Sequence, residues 1–311
     1  MLPIKQSQST YRGRFAPSPT GLLHFGSLVT ALASWLEARS RGGEWLVRIE
    51  DLDPPREMPG AATDLLTTLE AFGLHWDGQV IYQSQRHDLY LAHLEQLVQL
   101  GHAYPCSCSR KELANHQIYP GYCRIKPRHP ERTLAWRLAV DHQQTICWQD
   151  EIQGNQHWPL NQAGDVIIRR RDGLWAYQLA VVVDDLEQGI THLLRGIDLL
   201  DSTPWQIWIQ TCLGKAQPHQ PAFHYAHLPV IVNDTGQKLS KQNHAPAMDT
   251  QQASPLLYRA LCALQQQPDP ALRLEPVATL LEEALNHWQP SNIPATTHIK
   301  DTDLDPCISI D

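Results

Sequence analysis

The chain has 311 residues, of which 42% are hydrophobic and 19% charged, and its formal net charge is −8. This composition is typical of a globular protein with two or three domains, and the acidic balance argues against unselective nucleic-acid binding. The odd number of cysteines argues against a disulfide framework, and the lack of a long apolar window predicts a cytoplasmic protein without a membrane segment.

The first 104 residues alternate between strand-like and helical segments. A strand-like run ending near residue 15 precedes a turn rich in Pro and Gly, and helical spacing follows over 28–39. Residues 44–49 alternate as a strand, and 61–72 and 87–100 have helical spacing. This order predicts an α/β fold with a doubly wound parallel sheet of the Rossmann-like kind.

The pattern changes after residue 104 and returns after residue 173. Short alternating runs at 134–140, 145–152 and 165–170 predict an inserted α+β module over 105–173. Apolar runs over 175–195 and a helix over 202–213 predict the second half of the sheet domain, 174–217. The remaining residues, 218–311, predict a mainly helical region with an acidic tail. No long apolar stripe is visible, so we expect a monomer.

Two short motifs about two hundred residues apart predict an ATP site. The first places His24, Gly26 and Ser27 between a strand and a helix, where unpaired N–H groups and the helix dipole favour a phosphate. The second carries Lys238 and Lys241 on a glycine-bearing loop, where two cations suit a triphosphate and its leaving group. Together the motifs describe a nucleotide site built from two halves of the chain.

Three cysteines, Cys106, Cys108 and Cys123, lie within one loop-rich stretch. This spacing can place three thiolates around one structural zinc ion, with a fourth ligand still needed. Four neighbouring side chains are candidates for that ligand: His116, Tyr119, Tyr122 and His129. Because histidine is the commoner zinc ligand, chemistry alone favours one of the histidines. Three reduced thiols in a small hairpin are the alternative interpretation.

The same stretch is basic within an acidic chain. Residues 106–137 contain seven Lys and Arg against two Glu, a net charge of +5. With Tyr119, Tyr122 and Trp136 available for stacking, this patch suits a nucleic-acid backbone. A solvated basic face is the alternative.

Five ordered segments resemble the class I aminoacyl-tRNA synthetases, specifically their glutamyl branch. RFAPSPTG at 14–21 with HFGS at 24–27 is similar to the first signature, and RIEDLD at 48–53 to the second-strand segment. YQLA at 177–180, leading to the acidic pair at 184–185, and RGIDLL at 195–200 resemble segments that face the amino acid and the ribose. KLSKQ at 238–242 resembles the KMSKS loop, departing at its second and last positions. The likeness covers about residues 11–245 and implies the class I synthetase-type fold.

The resemblance implies a role for each matching residue. The residues implied to bind glutamate are Arg14, Ser18, Glu50, Tyr177 and Arg195. An arginine would face the side-chain carboxylate, and Glu50 would hold the α-ammonium group. Those implied to bind ATP are His24, Gly26, Ser27, Lys238 and Lys241, with His24 and Lys241 as the catalytic pair and Mg²⁺ for the ATP step. The rigid fork of arginine independently suits a carboxylate and would disfavour glutamine.

The cysteine set and the short region after Lys241 further resemble the glutamyl-Q tRNA(Asp) synthetase family, which lacks a large anticodon-reading domain. In that family three cysteines and a tyrosine bind Zn²⁺, which implies Cys106, Cys108, Tyr119 and Cys123. The family activates glutamate without tRNA and then esterifies it onto the queuosine base in the anticodon loop of tRNA(Asp). Two other hypotheses stay open: a short enzyme that charges tRNA(Glu), and a catalytically idle paralogue that binds glutamate or nucleotide.

Overall fold

The computed structural model describes residues 11–239 and 248–307, with side chains up to residue 304. The α-helices there are α1 (Phe25–Ser40), α2 (Ala61–Ala71), α3 (His87–Gln99), α4 (Leu160–Ala163), α5 (Tyr177–Glu187), α6 (Thr203–Cys212), α7 (Ala253–Ala263) and α8 (Val277–Asn286). The strands are β1 (Arg12–Phe15), β2 (Glu44–Ile49), β3 (Ile81–Tyr82), β4 (Ala103–Cys106), β5 (Ala135–Leu138), β6 (Thr145–Asp150), β7 (Gly154–Pro159), β8 (Val166–Arg169), β9 (His192–Gly196), β10 (His224–Leu228), β11 (Val230–Val232) and β12 (His298–Lys300). Within these two ranges, no helix is long and apolar enough to span a membrane.

Parallel strands form the central sheet. β1, β2 and β3 pair in parallel, as do β9, β10 and β6, and β7 is an antiparallel edge strand on β6. The two groups meet where the N–H of Thr191 donates to the carbonyl oxygen of Arg12 at 2.9 Å. The resulting order, β3-β2-β1-β9-β10-β6-β7, confirms the predicted α/β fold with a parallel sheet and aligns the carboxyl ends of its strands along one edge.

Helices cover both faces of this sheet. On β2, Trp45 and Val47 are fully buried in the core that contains α1, α2, α7 and α8, whereas Leu46 packs against the core of α3, α5 and α6. Successive strand side chains point to opposite faces, so this alternation is the physical basis of the strand predicted at 44–49. The predicted helices over 28–39, 61–72, 87–100 and 202–213 correspond to α1, α2, α3 and α6.

The strands between residues 103 and 169 divide between two sheets. β4, β5 and β8 form a separate antiparallel sheet, whereas β6 and β7 join the central sheet beside β10. There the N–H of Glu151 donates to the carbonyl oxygen of Tyr225 at 2.8 Å. The alternation over 134–170 predicts these strands but not the sheet that each of them joins. The four segment boundaries stay a prediction.

Buried carboxylates on α5 tie that helix to the first two strands. Asp185 accepts from Nε and Nη2 of Arg14, both at 3.2 Å, and pairs with Nη1 of Arg48 at 2.8 Å. These three side chains are at most 4% exposed. The neighbouring Asp184 accepts from three further side chains: Gln83, Arg86 and Tyr90. Because each buried charge has opposite charges beside it, the network stabilises one arrangement of β1, β2 and α5.

Asp185→Asn removes the charge shared by Arg14 and Arg48 and keeps the shape of the side chain. We expect the free energy of unfolding at neutral pH to fall by about 3–5 kcal/mol, because buried Arg14 loses its ion pair and buried Arg48 loses one of its carboxylate partners. The control is Asp172→Asn, whose ion pair with Arg170 is exposed, with an expected loss below about 1 kcal/mol. Urea unfolding measures both variants.

The loss should also depend on pH. Burial raises the pKa of Asp185, but Arg14 and Arg48 outweigh that effect and hold the pKa below its usual range. The stabilisation is therefore present above the pKa of unfolded aspartate, about 3.9, and is lost as pH falls through the lower folded-state pKa. The difference between wild type and the variant should shrink below about pH 4. A constant difference down to acid pH would contradict this account.

Candidate active site

A cleft of about 940 Å³ opens at the carboxyl ends of the central strands. Its walls contain the residues predicted to bind glutamate, which are Arg14, Ser18, Glu50, Tyr177 and Arg195. The same walls contain the residues predicted to bind ATP: His24, Gly26, Ser27 and Lys238. Lys241 lies outside the described residues. The cleft therefore brings together side chains from distant parts of the chain in a volume suited to small substrates.

The first turn of α1 lines this cleft. His24 is the N-cap residue, and the N–H of Ser27 donates to its ring nitrogen Nδ1 at 3.2 Å. Nε2 of His24 lies 2.9 Å from Oγ of Ser27. No acidic residue lies in the first turn of α1. Since the start of a helix carries partial positive charge, Gly26 and Ser27 lie where an anion is stabilised.

Lys238 reaches the same cleft from the turn that follows β11. The N–H of the next residue, Leu239, donates to the carbonyl oxygen of Ile231 at 2.8 Å. Nζ of Lys238 lies 2.6 Å from Oδ2 of Asp198. The carbonyl oxygen of Leu239 is 3.5 Å from the position that a Cβ on Gly26 would occupy. The two motifs of the predicted ATP site are therefore in van der Waals proximity.

The two arginines of the cleft differ in how their charge is compensated. Arg14 donates to the carboxylate of Asp185. Arg195 instead donates from Nε to Nε2 of His227 at 3.1 Å and from Nη2 to Oγ1 of Thr203 at 2.9 Å. Nη1 of Arg195 is buried and has no hydrogen-bond partner among the residues that the structure describes. Arg195, which lines the cleft, thus keeps one buried donor without an acceptor, and a carboxylate beside it would complete its hydrogen bonding.

Glu50 and Tyr177 complete the polar lining. The side chain of Glu50 is 11% exposed, and Oε1 lies 3.4 Å from Nη2 of Arg48. Burial raises the pKa of Glu50, against the opposing effect of Arg48 and Arg14. A cationic group beside Glu50 would favour its charged form. Burial also raises the pKa of Tyr177, at the start of α5, so its hydroxyl is a neutral donor.

The three clustered cysteines gather around the hydroxyl of Tyr119. The sulfur atoms of Cys106, Cys108 and Cys123 lie within 4.8 Å of one another. The hydroxyl oxygen of Tyr119 is 3.4 Å from Sγ of Cys106 and 3.6 Å from Sγ of Cys108. A zinc–sulfur bond of about 2.3 Å implies ligand atoms roughly 3.8 Å apart in a tetrahedron. The four atoms therefore have the size and chemistry of a zinc site.

The other candidate ligands lie in separate contacts. Nε2 of His116 is 2.9 Å from the hydroxyl of Tyr122, and Nε2 of His129 is 3.1 Å from Glu112. The preference for a histidine ligand on chemical grounds is thus not matched by the geometry. Of the four candidates, Tyr119 has its hydroxyl beside the thiols, and its buried ring packs under the guanidinium of Arg137 at 3.9 Å.

The thiols differ in their electrostatic surroundings. Burial raises the pKa of Cys108 to about 11. Burial opposes ionisation of Cys123 as well, but hydrogen bonds from the main-chain N–H groups of Arg128 and Ser107 outweigh it and lower the pKa of Cys123 to about 6. One thiol is therefore already stabilised as the thiolate that a metal ion requires.

The basic stretch is divided between surface and interior. Arg137 is 8% exposed and donates to the carbonyl oxygen of Asp165 at 2.8 Å, and Arg124 donates to the carboxylate of Asp165 at 2.7 Å. Five basic side chains remain exposed: Arg110, Lys111, Lys126, Arg128 and Arg132. The surface patch is accordingly smaller than the sequence predicts, because Arg124 and Arg137 hold the region of the cysteines together.

Two residues that hold Arg195 in place, Asp150 and His227, stand in no motif of the sequence, and Asp185 belongs to the acidic pair at 184–185, for which the sequence predicts no partner. For Asp185 a signal exists, since an acidic pair within an apolar helical run indicates buried carboxylates that need partners. Asp150 and His227 lie in ordinary strand patterns without a motif, and no feature of the sequence around them marks a role.

Comparisons with known proteins agree with this geometry. The family model of the class I tRNA synthetases (E and Q), catalytic domain, matches residues 10–258. A glutamyl-Q tRNA(Asp) synthetase of Pseudomonas putida is 50% identical over 303 residues, which cover 97% of this chain and 99% of that protein. A protein of the same name from Chromobacterium violaceum is 52% identical over 297 residues, covering 93% of this chain and 97% of its own.

Solved structures show the same fold. A glutamate tRNA ligase from Elizabethkingia meningosepticum, solved in complex with its amino acid, superposes with a TM-score of 0.78 at 23% identity, over 94% of this chain and 67% of that one. The glutamate-tRNA synthetase of Elizabethkingia anophelis gives 0.79 at 22% identity, over 96% and 70%. At this level of identity the likeness establishes the fold alone.

Proposed function

We propose that this chain, which belongs to the class I tRNA synthetases (E and Q), activates glutamate with ATP and transfers it to queuosine in the anticodon loop of tRNA(Asp). Relatives that share half of its residues over nearly their full length are named for that reaction. The observation that carries the glutamate assignment is the buried, unmatched Nη1 of Arg195, a residue that lines the cleft. A buried guanidinium donor without an acceptor is best satisfied by a carboxylate.

Different residues of the cleft bind different groups of glutamate. Arg195 receives the side-chain carboxylate, with Arg14 and the hydroxyl of Tyr177 on the same wall. Glu50 receives the α-ammonium group, assisted by Ser18, and that cation favours the ionised form of Glu50. Glutamine would leave the charge of Arg195 without a partner, so the site disfavours it.

The ATP step needs positioning and charge stabilisation rather than a covalent enzyme intermediate. An α-carboxylate oxygen of glutamate attacks the α-phosphorus, the bond to the bridging oxygen breaks, and pyrophosphate leaves with Mg²⁺. The start of α1 stabilises the phosphates through His24, Gly26 and Ser27. The negative charge that develops on the departing pyrophosphate is stabilised by Lys238 and Lys241. Lys238 exchanges its contact with Asp198 for a phosphate oxygen.

In the transfer step, a hydroxyl of queuosine attacks the carbonyl carbon of glutamyl-adenylate, the bond from that carbon to the phosphate oxygen breaks, and the hydroxyl proton passes to the departing AMP. The exposed basic side chains between residues 110 and 132 supply contacts for the phosphate backbone of the anticodon arm. The zinc ion we propose at Cys106, Cys108, Tyr119 and Cys123 is structural: when bound, it holds the ends of this basic loop together.

Arg195→Ala tests the glutamate assignment. We expect the KM for glutamate in glutamate-dependent ATP–pyrophosphate exchange to rise by about tenfold to a hundredfold, since a charged hydrogen bond to the substrate is lost. The KM for ATP should change little. Arg12→Ala is the matched control, because Arg12 lies on the same sheet but pairs with Glu44 away from the cleft.

Two results of the exchange measurement would contradict the assignment. One is wild-type exchange that glutamine supports as well as glutamate. The other is an Arg195→Ala variant whose KM for glutamate equals that of the wild type.

Zinc content tests the proposed metal centre. We expect one zinc ion per chain in the wild type and its loss from Cys123→Ser, because a thiolate ligand is removed. Tyr119→Phe should retain zinc more weakly in competition with a chelator, and Cys147→Ser, outside the cysteine cluster, should match the wild type. Wild-type zinc affinity in Tyr119→Phe would exclude the tyrosine as a ligand.

A further inference from the structure

A line of hydrogen bonds leads from the turn after β6 to Arg195. Asp150 ends β6, and its Oδ1 accepts from the N–H groups of Ile152, Gln153 and His227 at 2.9–3.1 Å. Oδ2 of Asp150 lies 2.5 Å from Nδ1 of His227. Both side chains are fully buried. Neither Asp150 nor His227 lines the cleft.

This arrangement determines where the proton of His227 resides. Oδ1 of Asp150 is occupied by three main-chain donors, so Oδ2 accepts the N–H at Nδ1 of His227. Nε2 then carries a lone pair, and Nε of Arg195 donates to it at 3.1 Å. Burial lowers the pKa of His227 and outweighs the opposing effect of Asp150. The lowered pKa keeps the ring neutral. The histidine is thus an oriented, uncharged acceptor.

An uncharged acceptor has a specific consequence for Arg195. Within the described part of the chain, no carboxylate lies within 4.0 Å of its guanidinium group, whereas Asp185 lies 3.2 Å from Arg14. Nε and Nη2 of Arg195 donate to His227 and Thr203, which leaves only the buried Nη1 without an acceptor among the described residues. The side chain is held in place without losing its net charge.

We infer that Asp150 and His227 are positioning residues that hold Arg195 as an uncompensated cation and thereby set the preference for glutamate over glutamine. This inference rests on the proposed activation of glutamate and adds to it two residues outside the cleft. A carboxylate in place of His227 would orient Arg195 equally well but would neutralise it. The neutral imidazole accepts the hydrogen bond from Arg195 without cancelling the guanidinium charge, which remains available to the substrate.

Asp150→Asn tests the orientation of the proton without changing the shape of the site. The three main-chain donors require an oxygen, so the new amide turns its NH₂ group towards Nδ1 of His227. The ring proton then moves to Nε2 and faces the N–H of Arg195, which loses its acceptor. We expect the KM for glutamate to rise by about tenfold or more, with a lower preference over glutamine and an unchanged KM for ATP.

Two substitutions at His227 separate positioning from packing. His227→Gln can accept from Arg195 and donate to Asp150, so we expect a KM for glutamate within about threefold of wild type. His227→Leu removes the acceptor, and we expect the same loss as in Asp150→Asn. The matched control is His192→Leu. His192 is the first residue of β9, at the end of the strand away from Arg195 and the cleft, so both KM values should stay unchanged.

The measurement is ATP–pyrophosphate exchange with glutamate and with glutamine, alongside the melting temperature of each variant. A selective rise in the KM for glutamate in Asp150→Asn and His227→Leu, rescued in His227→Gln, supports the inference. Equal KM values in wild type and His227→Leu, or parallel losses for glutamate and ATP in every variant, overturn it. If Asp150→Asn does not fold, the comparison of His227→Leu with His227→Gln decides by the same criterion.

Glutamate-dependent exchange by the wild-type protein distinguishes failure of the proposed function from failure of this inference. Absence of glutamate-dependent exchange in the wild type would overturn the proposed function, and the inference with it. Normal wild-type exchange together with unaffected variants at Asp150 and His227 would overturn the inference alone.

Discussion

The carboxylate of Asp185, buried between Arg14 and Arg48, is the interaction on which the arrangement of the site depends. Ionised groups can be buried only with partners of opposite charge, so β1, β2 and α5 are stable together in the register that brings these groups into contact. That register places the ends of β1 and β2, with Arg14 and Glu50, beside the start of α5, with Tyr177. A structural ion network thus assembles one wall of the cleft.

The two arginines of the cleft differ in whether a carboxylate of the protein compensates their charge. The charge of Arg14 is matched by a carboxylate within the protein, and this ion pair ties β1 to α5. Arg195 is held by a histidine and a threonine, and its charge remains available to a ligand. The same residue type thus stands in two electrostatic surroundings, and only that of Arg195 leaves a charge for an anionic ligand.

Local patterns in the sequence predict where helices and strands lie better than they predict which strands pair with one another. The alternation of Trp45 and Val47 with polar residues identifies β2 with its observed bounds, whereas the same kind of pattern in β6 does not reveal that this strand joins the central sheet. The resemblance to a synthetase family names the residues that line the cleft. It does not reveal that Arg124 and Arg137 point inward, or that Asp150 and His227 support Arg195, because those contacts depend on long-range packing.

Transfer of labelled glutamate in the presence of ATP and Mg²⁺ measures directly whether this protein activates glutamate and attaches it to queuosine. Three purified acceptors are compared: tRNA(Asp) with queuosine, tRNA(Asp) without it, and tRNA(Glu). We expect label on the first acceptor alone. Label on tRNA(Glu), or equal label on tRNA(Asp) with and without queuosine, would contradict it.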